Sequence, residues 1–362
     1  MKVPFINLGL HYKKYKKNIL REFDKISRRG DFILGSELKK FEFEFAKYCG
    51  TKYSVGVGNG SDALTFSLLA LNIRRGDEVI LPVNSFIASA WTIANVGATP
   101  VFVDVKNDLN LDPIKIEKVI TKKTKAIMPV HLTGRIADME NIILIAKKYK
   151  LKIIEDAAQA AGSELNNKKA GSFGITGCFS LHPLKNLHVH GDGGVITTSN
   201  LDIYKYFLKI RNHGLKNRDQ CEFWGYNSRL DNIQAAIARF KLKNLDKINK
   251  KFRNIAKIYT KELDNFVIVP REENNRSSIF HRYIIQHPKR NQLQKYLFKR
   301  GIETKINYPI PLHLQKASKY LGYKKNDFPI AEKLSKTILS LPIYDELKIN
   351  QVEYVIKTIK NF

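Results

Sequence analysis

The group in this chain best suited to nucleophilic chemistry is a lysine on a loop just past a short strand-like run. It stands in Phe179-Ser180-Leu181-His182-Pro183-Leu184-Lys185-Asn186-Leu187, which leads into Gly191-Asp192-Gly193-Gly194. A Lys desolvated there has its pKa lowered and its amine made nucleophilic toward an aldehyde. A second segment, Leu151-Lys152-Ile153-Ile154-Glu155-Asp156-Ala157-Ala158-Gln159, reads as an apolar strand ending in an acidic pair. Carboxyl ends of parallel strands are where α/β sheets bind ligands, so Asp156 is the candidate acid, with a helix N-cap as the competing reading. A third, Val55-Gly56-Val57-Gly58-Asn59-Gly60-Ser61-Asp62-Ala63, follows a strand and opens a helix. Free backbone N–H groups and the helix dipole there can face a phosphate, although a tight turn alone would use the same residues. Gly58, Gly60 and Ala63 also satisfy the dinucleotide fingerprint, but Asp77-Glu78 precede the next strand, where a dinucleotide fold needs an acid at its end. This argues against a nicotinamide oxidoreductase. Taken together, the three segments offer a phosphate anchor, an acid for a pyridinium nitrogen and a Schiff-base lysine, the parts that pyridoxal phosphate chemistry needs.

The elements that must position these groups follow from periodicity. Short β-branched runs at Tyr53–Val57, Glu78–Leu81, Pro100–Val105, Ala126–Val130, Lys152–Glu155, Gly177–Leu181 and Gly194–Thr198 alternate with helical segments such as Asp62–Asn72 and Met139–Tyr149. That alternation predicts a largely parallel sheet covered on both faces, an α/β architecture. After Ser228, Leu230, Ile233, Ile237 and Phe240 recur at spacings of three and four, and Leu245, Ile248, Phe252 and Ile255 extend the stripe. One long helix or two in series is expected. A strand over Phe280–Gln286, a helix over Asn291–Lys299 stopped by Gly301, a strand over Ile302–Ile306 and a final helix over Gln351–Lys360 complete a small α+β unit. The chain is therefore divided into a large domain, 1–244, and a small one, 245–362.

Composition narrows the partners. The 362 residues carry 62 Lys and Arg against 34 Asp and Glu, a formal charge of +28, and 43% are hydrophobic, enough for a sizeable core. Nucleic acid, acidic lipid or a phosphorylated substrate would each be drawn by such a field. The lysines are scattered, with no arginine-rich arm or aromatic-interleaved patch, so a solvated surface is favoured and neither nucleic acid nor membrane is expected as a partner. No apolar run reaches the ~20 residues of a membrane span, and a cytoplasmic location is expected. Cys49, Cys178 and Cys221 lie far apart, without metal spacing, and are read as reduced thiols with no metal site.

Further segments occur in a specific order around those already named: Gly76-Asp77-Glu78-Val79-Ile80, Pro129-Val130-His131-Leu132, Arg211-Asn212-His213-Gly214, Gly225-Tyr226-Asn227-Ser228-Arg229-Leu230-Asp231 and Tyr308-Pro309-Ile310-Pro311-Leu312-His313. With them the chain resembles the DegT/DnrJ/EryC1/StrS family from end to end. That resemblance implies the type I pyridoxal phosphate transferase fold, which is aspartate aminotransferase-like, and homodimers with active sites at the subunit interface. It implies an aminotransferase that turns a keto sugar, in most members nucleotide-linked, into an amino sugar with glutamate as donor, for polysaccharide or glycan biosynthesis such as lipopolysaccharide or O-antigen. By motif, Lys185 would be the Schiff-base lysine and proton carrier, Asp156 would pair with the pyridine nitrogen, and Gln159 would lie against the phenolic oxygen. Gly60 and Ser61 backbone groups, the Ser180 hydroxyl and Asn227 of the partner subunit would hold the phosphate, and Phe86 would stack on the ring unless it is a core aromatic. Arg229 and His313 match the sugar-nucleotide side. His182 and His213 are read as positioning groups rather than acid/base catalysts. His188-Val189-His190 departs from the usual small or apolar residues and puts the substrate in question. Some relatives are keto-sugar dehydratases with His in place of the lysine, against which Lys185 argues; a regulatory protein that keeps the fold is the remaining alternative.

Overall fold

The alternating runs of residues 50–200 assemble into one sheet. The computed structural model describes residues 1–273 and 275–362. Strands β1 (Tyr53–Val57), β2 (Glu78–Pro82), β3 (Thr99–Val103), β4 (Thr124–Ile127) and β5 (Lys152–Asp156) are followed by a two-residue pair, β6 (Glu164–Leu165) and β7 (Lys168–Lys169), and then by β8 (Thr176–Ser180) and β9 (Gly194–Thr198). The seven-stranded sheet has the order β1-β9-β8-β5-β4-β2-β3. It is mostly parallel, as the pattern predicts; β9 alone runs antiparallel, to both β1 and β8. Helices α1 (Leu8–Arg29), α2 (Ser36–Cys49), α3 (Gly60–Ala70), α4 (Ile87–Asn95), α5 (Met139–Lys148) and α6 (Leu201–Ile210) accompany it. Two apolar clusters cover its two faces: Val79 and Leu81 of β2 join Leu64, Phe66 and Phe207 in one, while Ile80 between them joins Phe41, Phe45 and Ile142 in the other. Strand alternation of period two is what sends neighbours to opposite faces.

The apolar stripe after Ser228 forms two helices in series, α7 (Asn232–Leu242) and α8 (Leu245–Leu263). Ile248, Phe252, Ile255, Tyr259 and Leu263 of α8 lie in a third cluster with Leu293 and Leu297 of α9 (Arg290–Lys299) and Val352, Val355 and Ile359 of α11 (Ile349–Lys360). Between them are β10 (Arg276–Ser277), β11 (Tyr283–Gln286), α10 (Pro329–Thr337) and β12 (Ile338–Leu341), with β11 antiparallel to β12. Two expectations shift. β11 starts at Tyr283 rather than Phe280, because Phe280 has a φ of 47° and cannot continue an extended ladder. The expected strand over 302–306 is reduced to single bridges, Ile302 to Val3 and Lys305 to Ser340, so the N-terminal Val3 packs in the third cluster. Among the described residues no helix is long and apolar enough to cross a membrane.

Candidate active site

The carboxyl ends of β5 and β8 and the amino end of α3 converge on a cavity of about 550 Å³. Gly60, Ser61, Phe86, Asp156, Gln159, Ser180 and Lys185 all line it. Period two decides between the two acids that end β5. Glu155 turns into the core, where it accepts the N–H groups of Gly171, Phe173 and Gly174 at 2.6–2.7 Å and meets His131 Nε2 at 3.0 Å. Ala137 N–H donates to His131 Nδ1, so Nε2 carries the proton that bonds Glu155. Asp156 faces the cavity instead. Its Oδ2 accepts from Ser89 Oγ at 2.7 Å, Ser89 is bonded to Ser85 at 2.7 Å, and its Oδ1 accepts Ala158 N–H at 3.2 Å. Burial pushes the Asp156 carboxyl up, against the Ser89 and Ala158 bonds and the charge of Lys185, so a cation placed against it would be stabilised.

Lys185 is half-buried. Desolvation, and next the charge of Arg282, lower its amine to about 8, opposed by Asp156. Its loop is pinned by Lys185 N–H to the His182 carbonyl, by Asn186 Nδ2 to Asn249 Oδ1 at 3.1 Å, and by His188 Nδ1 at 2.8 Å from the Lys185 carbonyl. This last contact accounts for one of the unusual histidines: His188 is buried, its pKa pushed well down by desolvation, and its ring lies tilted with its centroid 4.5 Å from that of His11. Neither it nor His190 lines the cavity.

At α3, Asn59 Oδ1 caps the helix by accepting Asp62 N–H at 2.9 Å. Ser228 Oγ accepts Gly58 N–H at 2.9 Å and donates to Asp62 at 2.6 Å, tying the 225–231 segment to the same turn. A Cβ on Gly60 would stand 2.8 Å from Ser180 Cβ, so glycine here lets the helix start and β8 close together. Gln159 is fixed by accepting Thr133 N–H at 2.8 Å, from a threonine held at a φ of 63°, while its Nε2 donates to Tyr308 Oη at 3.3 Å. Phe86 is 53% exposed with its ring centroid 6.0 Å from that of Tyr308, which removes the core-aromatic reading.

The remaining expected residues lie elsewhere in this chain. Asn227 is exposed and Arg229 is half-buried, its Nη1 bonded to Asn212 at 2.8 Å; neither lines the cavity. His313 departs from the expected sugar contact: it is 2% exposed, its Nε2 lies 3.1 Å from Glu332 and its ring 4.7 Å from Phe328. The turn at Leu312–Leu314 follows a backbone bond from Leu312 to Val83 and drives the ring into the core. Sequence reasoning missed Arg282, Tyr308, Trp91 and the Ser85/Ser89 pair, all but Ser89 on the cavity wall. Ser85 lies in the bend before α4 and Ser89 in its first turn, so their contact depends on how the chain enters the helix and not on a helical face that spacing could reveal. His11, Asp345 and Glu346 come within metal-ligand reach of one another, but Asp345 is paired with Lys14 and Lys251 and His11 with Glu346, so the cluster is an ion-pair network.

Pyridoxal phosphate fits this donor set. The narrow Gly60–Ser180 corner at a helix N-terminus suits its phosphate, the buried Asp156 lacks the cation its pyridinium would bring, and the amine of Lys185 is suited to its aldehyde.

The model of the DegT/DnrJ/EryC1/StrS aminotransferase family matches residues 13–360. The chain is 44% identical to a pleiotropic regulatory protein of Geobacillus stearothermophilus, with 100% of this chain and 99% of that one covered. It is 43% identical to the dTDP-3-amino-3,6-dideoxy-alpha-D-galactopyranose transaminase of Aneurinibacillus thermoaerophilus, over 99% of each chain. Among solved structures, DesV of S. venezuelae in complex with a ketimine intermediate superposes with a TM-score of 0.97 at 36% identity, covering 99% of this chain and 98% of that one.

Proposed function

Because this chain belongs to the DegT/DnrJ/EryC1/StrS aminotransferase family and is a sugar aminotransferase working with pyridoxal phosphate, we propose that Lys185 and Asp156 are its catalytic pair and that glutamate is the amino donor to a nucleotide-linked keto sugar. The observation that carries this reading is the shared cavity that joins a desolvated lysine, a buried aspartate and a helix N-terminus. When bound, the cofactor supplies an aldehyde carbon and a ring that accepts the electrons released as a Cα–H bond breaks. Asp156 would hold a proton at the ring nitrogen, and Ser89 and Ala158 N–H keep the carboxylate aimed. Lys185 would hold the cofactor through its amine, and as a free amine it would be the group placed to take the proton from the donor's Cα. Ser61, Gly60 and Ser180 would hold the phosphate, Gln159 would face the phenolic oxygen, and Phe86 would pack on the ring.

The exposure of Asn227 and its neighbour Ser228 on the cradle support a homodimer, in which Asn227 of the partner subunit completes the phosphate site and Arg229 faces the nucleotide. Residues 1–244 then carry the cofactor and 245–362 form the small domain, and the amino sugar enters a glycan built from cytoplasmic precursors. The dTDP-linked sugar in the name of the Aneurinibacillus relative supports the nucleotide carrier. A dehydratase is disfavoured by the lysine itself, and a purely regulatory role by the retained Lys185–Asp156 pair.

The test is the visible spectrum of the purified protein with pyridoxal phosphate, before and after glutamate. A yellow band that bleaches with glutamate is expected. A band that ignores glutamate overturns the donor assignment, and no band at all overturns the site.

A further inference from the structure

We propose that Arg282 anchors the α-carboxylate of the amino donor, and of the keto acid the donor becomes, beside Lys185. The inference rests on the aminotransferase reading and deepens it, because nothing so far says how the site recognises an amino acid. Arg282 is 8% exposed and lines the cofactor cavity together with an adjoining one of about 500 Å³. Nη1 donates to the His281 carbonyl at 3.0 Å, the guanidinium carbon lies 5.1 Å from the Phe5 ring centroid, and the charge that shares its cavity wall at Lys185 is of like sign. Among the described residues no Asp or Glu forms an ion pair with it.

A buried guanidinium without a counter-charge is costly, and a ligand that brings the missing charge removes that cost. The cavity wall narrows what the ligand is. Lys185 and Arg282 are its cationic side chains, while burial holds His182 and His281 toward the neutral form. The α3 end of the cavity suits the cofactor phosphate, and Asp156 is a poor neighbour for any anion. An arriving anion is therefore directed to Arg282, whose planar fork fits a carboxylate through two parallel bonds.

Two substrates bring anions, and the chemistry distinguishes them. In an amino acid the carboxylate is bonded to the reacting carbon, so it must lie next to the amine of Lys185, with which Arg282 shares the cavity wall. In a nucleotide sugar the diphosphate is attached at the anomeric carbon, with further sugar-ring atoms between it and an aminated carbon such as C3 or C4. Charge beside the reacting amine thus favours the carboxylate.

The holoenzymes with Arg282→Gln and Arg282→Lys are compared with the wild type in two assays. One is the single-turnover response of the visible band to glutamate, and the other is calorimetric binding of glutarate, an unreactive dicarboxylate, with UDP and dTDP titrated in parallel. Retention of the cofactor band marks correct folding. The expected result for Arg282→Gln is a rise of about 30-fold or more in both the glutamate half-saturation and the glutarate Kd, with Arg282→Lys intermediate and nucleotide affinity within about twofold of the wild type. Glutamate and glutarate affinities unchanged in Arg282→Gln would overturn the proposal, as would a loss confined to UDP or dTDP. A wild type that ignores glutamate yet binds glutarate through Arg282 would refute the donor's identity and leave the anchor standing.

Discussion

The lowered pKa of Lys185 can be tested without cofactor or substrate. An amine titrating at about 8 rather than at the ordinary 10.5 is about 24% neutral at pH 7.5 instead of about 0.1%, a gain of about 240-fold in nucleophilic form. The assay is pulse acetylation of the apo-protein with acetic anhydride between pH 6 and 11, with labelling of the Lys185 peptide followed by mass spectrometry. Labelling of Lys185 should rise through pH 8 and level off, well before the range in which an ordinary lysine amine loses its proton. Two substitutions then separate the causes. Arg282→Gln removes a repelling cation and should move the midpoint up, though only part of the way, because desolvation is the larger cause and remains. Asp156→Asn removes the opposing carboxylate and should move it down. The folded value lies below the unfolded one, so the cost of burying a charged amine is full below about pH 8 and fades as pH rises toward the unfolded value. Lys185 labelling that tracks the surface lysines, or two variants that shift the midpoint in the same direction, would refute the reasoning.

Other consequences follow from contacts around the cavity. Gly60→Ala places a Cβ 2.8 Å from Ser180 Cβ and should weaken pyridoxal phosphate binding by about tenfold or more; an unchanged fluorescence titration would move the phosphate away from this corner. Asn227→Ala should weaken cofactor retention while the isolated fold is unaffected, and equal retention after dialysis would take Asn227 out of the site. Glu155→Ala leaves three core N–H groups and His131 without their acceptor, so denaturant titration should record a loss of about 3–5 kcal/mol, whereas a loss below about 1 kcal/mol would mean that Glu155 is not the buried hub it forms here.

Much of the site is legible in the chain because its parts are local. The cradle at Gly58–Asp62, the strand ending at Asp156 and the loop carrying Lys185 are each contiguous, and each owes its role to where a strand stops. The alternating pattern likewise carried the large sheet, since burial on both faces requires apolar runs of this length. Where a position depends on a distant segment, the pattern carried less. Residues 302–306 have the composition of a strand, yet their partners are single residues of the N-terminal segment and β12, and only bridges form.

The sequence by itself determined the kinds of groups, their order and their association with strand ends, because these are set by side-chain chemistry and by periods of 2 and 3.6 residues. Only the tertiary structure decided which member of a close pair faces the cavity. It turned Glu155 inward and Asp156 outward, drove His313 onto Glu332, set His188 behind Lys185 instead of beside the substrate, and brought Arg282, which stands just before β11 and 97 residues away, to the wall next to the lysine. The physical reason is that burial and charge act through space: a desolvated amine, a buried acid and a guanidinium without a counter-charge exist only once separate segments enclose the same volume.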